Sequence, residues 1–116
     1  MTTKLMNTLS TYWVDDVERC GVILAKENII ELDNIAEKPE LDFEVSDANF
    51  DKYKKSMKAT WHTHPNCNAN LSLADYEFFT SEPNINHFII CRNYVVCYKM
   101  NNGQLIITEV HHHGND

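Results

Sequence analysis

The sequence contains little glycine and little proline. Three residues of each occur among 116, which excludes collagen-like and low-complexity chains, because those are rich in both. Hydrophobic residues make up 43% of the chain, enough to form a core without disulfides or other staples. Length and composition therefore predict one globular domain over residues 1–116.

Positive charge is scarce as well. Ten lysines and arginines stand against seventeen aspartates and glutamates, which gives a formal net charge of −7. Proteins that bind nucleic acids usually present a basic face to the phosphates. The one basic cluster comprises Lys52, Lys54, Lys55 and Lys58, and because acidic residues stand among and beside these lysines we interpret it as a solvated helix face. We therefore expect no nucleic-acid partner.

Long apolar runs and paired cysteines are missing too. No stretch approaches the ~20 apolar residues needed to cross a membrane, and the first residues lack the apolar run of a signal peptide. Four cysteines occur without any C-x-x-C pair. We therefore expect a cytoplasmic protein with reduced thiols and no membrane partner. Cys20, Cys91 and Cys97 fall in apolar runs and are predicted to be core residues.

The spacing of apolar residues predicts a mixture of helices and strands. Helical spacing is found over 6–18, 46–57 and 72–80. Short β-rich runs predict strands at 21–25, 28–32, 41–45, 58–62, 87–91, 94–98 and 104–108. Asn102-Gly103 predicts a tight hairpin turn between the last two strands. This order indicates an α/β (α+β) fold, with a mixed sheet flanked by helices.

Two of the helices have a clear beginning and an expected inner face. Ser46 and Ser72 are suited to cap the second and third helices, because a serine oxygen can accept a bond from an unpaired backbone N–H. The inner face is expected to carry Phe50, Tyr53 and Met57 in the second helix, and Leu73, Tyr76 and Phe79 in the third.

A histidine pair marks the candidate site. His62 and His64 flank Thr63 at the end of a predicted strand, so both imidazoles lie on one face and Thr63 on the other. Pro65 follows, and Ser72 and Asp75 come at the start of the third helix. Two histidines and one carboxylate can bind zinc and leave one position open.

Two simpler interpretations compete for parts of this pattern. Ser72 and Asp75 could be only a capping box, in which both side chains satisfy backbone N–H groups. Capping, however, gives no reason for the two histidines and the proline. Cys67, three residues after His64, is an alternative zinc ligand. Trp61 and Thr63 are expected to pack in the interior.

The complete pattern resembles the JAMM (MPN+) signature of zinc isopeptidases and their bacterial and phage relatives. It consists of His-x-His-Pro, six residues, and Ser-x-x-Asp, with a glutamate far upstream that often precedes Cys-Gly. Here Glu18 stands just before Cys20-Gly21. The segment DNIAEKPELDFEVS and the form HPN…SLAD are similar to the JAMM domain of tail-assembly proteins in lambda-like phages. The resemblance extends from about 17 to 98.

The resemblance implies a fold, a cofactor and roles for five residues. The fold is a cytidine-deaminase-like α/β sheet, and the cofactor is zinc. His62, His64 and Asp75 are the implied zinc ligands. Glu18 is the implied general base and then acid, and Ser72 the implied hydrogen-bond donor to the oxyanion. For Glu18 to reach this site, the first strand has to lie beside the strand at 58–62. Phage relatives commonly carry a second, cysteine-peptidase domain, which we expect to be missing here.

Several functions remain open at this point. The first is a zinc-dependent peptidase or isopeptidase, acting on a phage tail protein or a ubiquitin-like protein. The second is a zinc-binding assembly module of a phage tail without turnover. The third is a bacterial enzyme that trims a ubiquitin-like sulfur-carrier protein. A base deaminase would need H-x-E and C-x-x-C, which are absent from the sequence.

A second histidine run stands near the end of the sequence. His111, His112 and His113 follow one another there. We interpret them as a tail that binds metal adventitiously or remains from cloning, because such runs bind metal without a built site. They are not expected to take part in catalysis.

Overall fold

The computed structural model describes residues 2–66 and 70–113, and within them it contains three α-helices and six strands. The helices are α1 (Thr3–Ser10), α2 (Asp47–Tyr53) and α3 (Leu73–Ser81). The strands are β1 (Cys20–Leu24), β2 (Asn28–Leu32), β3 (Ala59–Thr63), β4 (Asn86–Ile90), β5 (Tyr94–Asn101) and β6 (Gln104–His112). The predicted mixed α+β fold is confirmed.

The six strands form one sheet in the order β2-β1-β3-β4-β5-β6. Strands β3 and β4 are parallel and α3 lies in the connection between them, whereas the other neighbouring pairs are antiparallel. Cys20 pairs with His62, so the start of β1 lies beside the end of β3. The expectation that the first strand adjoins the histidine strand is therefore confirmed.

The helices cover both faces of the sheet. Leu5, Met6 and Leu9 of α1 pack in one cluster with Trp61 of β3. Phe79 of α3 packs on the opposite face, and α2 contributes to a third cluster that contains Phe50, Tyr53, Met57 and Val22. Because neighbouring strand residues point to opposite faces, Trp61 faces α1 and His62 faces α3.

The predicted core cysteines and the last hairpin agree with the structure. Cys20, Cys91 and Cys97 are buried, while Cys67 lies outside the described residues. Asn102 and Gly103 have φ angles of 52° and 80°, as a tight turn between antiparallel strands requires. Within the described residues, no helix is long and apolar enough to cross a membrane.

The prediction of a long first helix was wrong. Helix α1 ends at Ser10, where the hydroxyl groups of Ser10 and Thr11 donate back to carbonyl oxygens of the preceding turn. Beyond it, Tyr12 packs against the Trp61 ring with centroids 4.8 Å apart. Trp13 donates its indole N–H to the His64 carbonyl oxygen at 3.0 Å. Packing of these aromatic side chains thus outweighs their helical spacing.

The prediction of a strand at 41–45 was also wrong. This segment begins in a turn at Leu41 and belongs to no strand. The Asn34 side chain forms hydrogen bonds with the backbone of the segment instead. Its Nδ2 donates to the Asp42 carbonyl oxygen, and its Oδ1 accepts from the Glu44 N–H. Asn34 thus provides the hydrogen bonds that a neighbouring strand would otherwise supply.

Two helices and the histidine run differ from expectation. Helix α2 stops at Tyr53. The predicted inner face of α3 was wrong for Leu73 and Tyr76, which are 73% and 46% exposed, but Phe79 is buried as predicted. The buried residues of α3 are Asp75 and Phe79, because the helix is turned so that Asp75 faces the histidines. His111 and His112 pair with β5 as part of β6 and do not form a free tail.

Candidate metal centre

His62 of β3 and His64, just after the strand ends, bring their Nε2 atoms together. Because residues i and i+2 of an extended chain lie on the same face, His62 and His64 point the same way. Their Nε2 atoms lie 3.0 Å from each other. The His64 backbone is fixed on both sides, because its N–H donates to the Ile90 carbonyl oxygen and its carbonyl accepts from Trp13. Strand pairing therefore sets the position of both imidazoles before any ligand binds.

Asp75 completes the cluster from the first turn of α3. Its Oδ1 lies 3.2 Å from His62 Nε2 and its Oδ2 lies 3.2 Å from His64 Nε2. Ser72 caps the helix, with its Oγ accepting from the Asp75 N–H and its N–H donating to Asp75 Oδ2. The capping box is thus present, and the same carboxylate also faces both histidines.

The spacing of these atoms fits one tetrahedral metal ion. Two ligands of zinc, each about 2.0–2.1 Å from the ion, lie about 3.3 Å apart. The three distances among His62 Nε2, His64 Nε2 and the Asp75 oxygens are 3.0, 3.2 and 3.2 Å. Since two nitrogens and one carboxylate are typical of a zinc site with an open position, these residues fit the ion.

Burial favours the protonation states that a metal requires. Complete burial lowers the pKa of His62, so its imidazole is neutral. Burial alone would raise the pKa of the Asp75 carboxyl, but hydrogen bonds and charge from His62 and His64 outweigh it and hold the pKa well below its usual range. A neutral imidazole and an ionised carboxylate are the forms that bind zinc.

Glu18 lies at the side of the same cluster. Ligand atoms of Glu18, His62 and His64 all lie within 4.8 Å of one another. Burial raises the pKa of Glu18 to about 8, against the lowering effect of the neighbouring His64. Glu18 is thus a second carboxylate beside the histidines, and in the metal-free protein its pKa lies far above that of an ordinary glutamate.

Contacts that the sequence did not indicate hold Glu18 in place. Thr63, predicted only to pack, accepts the Arg19 backbone N–H on its Oγ1 at 2.8 Å. The Glu18 N–H donates to the Pro39 carbonyl oxygen, and Asn34 Nδ2 donates to the Glu18 carbonyl. No local pattern marks Thr63 or Asn34, because their partners are distant in the sequence.

Phe43 is a further residue of the site that sequence analysis missed. Its ring lies over His62, with centroids 4.5 Å apart and planes at 31°. The ring also contacts Phe78 of α3 at 5.9 Å. Phe43 thus provides an apolar cover for one zinc-ligand candidate, while Ser72 at the start of α3 is exposed.

Comparisons with known proteins bear on the fold. In sequence, the chain matches no protein-family model and no curated protein. Its structure is similar to the solution structure of protein DSY2949 from Desulfitobacterium hafniense, with a TM-score of 0.61 and 18% sequence identity. The similarity covers 93% of this chain and 88% of the other. At this identity the likeness concerns the fold alone.

Proposed function

We propose that this chain is a zinc-dependent peptidase or isopeptidase of the JAMM type. The observation that carries the proposal is the convergence of His62, His64 and Asp75, whose facing atoms are 3.0 to 3.2 Å apart, beside the buried Glu18. A metal-binding cluster alone could be structural. The adjacent buried carboxyl group favours hydrolysis, because a general base has to lie within reach of the attacking water.

The residues of the cluster have separate tasks in this proposal. His62, His64 and Asp75 would hold the ion. When bound, zinc would supply a Lewis acid and acidify a water molecule. Glu18 would take a proton from the attacking water and give it to the leaving amine.

Ser72 is suited to stabilise charge on the substrate. Its Oγ accepts the Asp75 N–H, so its hydroxyl hydrogen is still available for donation. Because Ser72 is exposed at the helix start, it can reach a substrate carbonyl. It would donate to that oxygen as negative charge develops there.

We place the substrate among polypeptides, either a phage tail protein or a ubiquitin-like protein, in the cytoplasm. This follows from the JAMM signature in His62–Asp75 and from the phage-like segment around Asn34. The second candidate function is a zinc-binding assembly module without turnover. It is favoured by the burial of the cluster, in which Glu18, His62, His64 and Asp75 are each at most 8% exposed.

Zinc content tests the ligand assignment. Purified protein should contain about one zinc, measured by elemental analysis, and a His62→Ala, His64→Ala variant should contain almost none. The matched control is His111→Ala, His113→Ala, which also removes two histidines with one residue between them. Full zinc retention in the first variant would refute the assignment, and loss in Cys67→Ala alone would identify the rival ligand.

Hydrolysis tests the role of Glu18. With zinc present, the chain should cleave a library of quenched fluorescent peptides or a ubiquitin-like conjugate. Glu18→Gln should keep zinc and lose about 10²–10⁴-fold in rate, the usual contribution of a general base. Glu77→Gln, an exposed change on α3, is the control. Equal rates in wild type and Glu18→Gln would exclude Glu18 as the base, and no cleavage at all would favour the assembly module.

A further inference from the structure

A groove of about 310 Å³ adjoins the candidate metal centre. It lies between the segment 42–45 and helices α2 and α3, and Asp75 is one of its lining residues. We call it the acid-rimmed groove, defined by Asp42, Phe43, Glu44, Phe50, Phe78 and Glu82. Because Asp75 lines the groove and faces both histidines, the groove and the metal centre share a wall.

Three phenylalanine rings form an apolar surface in this groove. Phe78 contacts Phe43 and Phe50 in edge-to-face geometry, with ring centroids 5.9 and 6.2 Å apart. Phe43 in turn lies over His62. The apolar surface is thus continuous with the zinc-ligand candidates, and an aliphatic side chain placed on it would bring its own backbone close to them.

The rim of the groove is negative. Asp42, Glu44, Asp47 and Glu82 line it, and no lysine or arginine does. Over residues 2–66 and 70–113, none of these four carboxylates forms an ion pair. Lys54 lies outside the lining, with its ammonium group 5.9 Å from the Phe50 ring centroid. Apolar rings beside unpaired carboxylates match a side chain with an aliphatic stem and a positive end.

We propose that the acid-rimmed groove binds an arginine or lysine side chain of the polypeptide that reaches the metal centre. The proposal rests on the proposed function, because it assumes a polypeptide substrate. The stem would cover Phe43, Phe50 and Phe78, and the cationic end would meet Glu44 and Glu82. An acidic side chain at the same position would be repelled, so the groove selects substrates by charge.

Peptide binding tests the groove independently of cleavage. The probes are fluorescein-labelled peptides of glycine, alanine and serine that carry one arginine, lysine, norleucine or glutamate. Their binding is measured by fluorescence anisotropy on the zinc-loaded Glu18→Gln chain, in which turnover is suppressed. Arginine and lysine peptides should bind more tightly than the norleucine peptide, and the glutamate peptide most weakly. Added salt should reduce these differences, because exposed charges are screened.

Paired variants separate the groove from net charge. Glu44→Gln with Glu82→Gln should weaken arginine-peptide binding about threefold to tenfold, since each exposed ion pair contributes modestly. Norleucine-peptide binding should stay the same. Glu77→Gln with Glu109→Gln makes the same change in charge on exposed residues outside the groove and should have little effect. Equal weakening by both pairs would refute the groove as the binding site.

Cleavage by the wild-type chain distinguishes the two proposals. Glu18-dependent cleavage without preference for a basic residue would refute the groove and leave the hydrolase proposal standing. Binding that prefers arginine and depends on Glu44 and Glu82, without any cleavage, would support the groove and refute the hydrolase. Equal affinity for all four peptides would refute the groove in either case.

Discussion

Glu18 occupies a position that is unfavourable for a carboxylate in the metal-free protein. Burial raises its pKa from 4.5 to about 8, so between these values the folded state binds a proton that the unfolded state has lost. Stability must therefore fall as pH rises from about 5 to 8. Glu18→Gln removes this ionisation, and the metal-free variant should exceed wild type by roughly 1–3 kcal/mol at pH 8.

Urea unfolding with a chelator present checks this expectation. The advantage of Glu18→Gln should shrink as pH falls and disappear well below pH 4.5, where Glu18 is protonated in both states. Glu77→Gln, exposed on α3, serves as the matched control. A metal-free Glu18→Gln chain that is less stable than wild type at pH 8 would show that Glu18 is not strained by burial. A gain in stability on removal would mark Glu18 as a residue retained for another purpose.

At the scale of residues, the sequence indicated the candidate metal ligands better than the residues that pack around them and hold them in place. The alternation of a strand places His62 and His64 on one face, and a capping position brings Asp75 to the helix start, so local geometry is enough. The structure brings these residues together with Glu18. Thr63 and Phe43 act through partners distant in the chain, and such contacts have no periodic signature.

At the scale of elements, the pairing of β1 with β3 depends on a glycine. A Cβ atom at Gly21 would overlap the Ile30 carbonyl oxygen and lie 2.7 Å from two carbons of the Trp61 indole. Neither neighbour can give way, because Ile30 belongs to the paired strand β2 and Trp61 is 1% exposed. Gly21→Ala should therefore destabilise the protein by more than about 3 kcal/mol.

Gly103→Ala is the matched control for this prediction. Nothing lies within 4 Å of the added Cβ there, but φ is +80°, so only backbone strain opposes the change. It should cost about 1 kcal/mol. Midpoints of urea unfolding measure both variants. Similar losses in Gly21→Ala and Gly103→Ala would mean that the indole and the strand can move apart without penalty.

Element prediction succeeded where the signal was local. The last hairpin follows from the β-rich runs at 94–98 and 104–108 and from the turn residues Asn102-Gly103. The strand predicted at 41–45 failed because one side chain, Asn34, replaces a partner strand. The prediction that the first helix extends to 18 failed because Tyr12 packs against Trp61 and Trp13 donates a hydrogen bond to His64. In both cases tertiary contacts determine the structure of the segment. Local sequence propensity carries no information about such contacts.

At the scale of the whole molecule, His87 connects the sheet to α3. Its Nδ1 lies 2.6 Å from Thr60 Oγ1 and its Nε2 lies 2.9 Å from the Glu82 carbonyl oxygen. Burial lowers its pKa from 6.5 to about 4. Between these values the unfolded state binds more protons, so stability is lost as pH falls from about 6.5 to 4.

In His87→Gln, the free energy of unfolding should fall by about 2–3 kcal/mol less than in wild type as pH drops from 6.5 to 4. This difference in slope is expected whether or not the variant is less stable at neutral pH. Chemical unfolding at pH 4.5, 5.5 and 7, with a chelator in every sample, measures the slope. The change His112→Gln, on an exposed position of β6, controls for loss of a histidine as such. An unchanged slope in His87→Gln would assign the acid sensitivity to other groups.

The order of strands could be predicted only in part. Hairpins fix three of the five neighbouring pairs, and the need to bring Glu18 to the histidines predicted that β1 lies beside β3. The parallel pairing of β3 with β4 needs a crossover through α3, which no local pattern specifies.

Strand β3 joins two blocks that are otherwise built from hairpins, and this has a consequence for the kinetics of folding. The blocks β1–β2 and β4–β5–β6 pair strands that follow one another, so each closes short loops. Strand β3 enters through longer connections on both sides, and such contacts form more slowly. We therefore expect Glu18, His62 and Asp75 to meet late in folding, so that an incompletely folded chain would lack this centre.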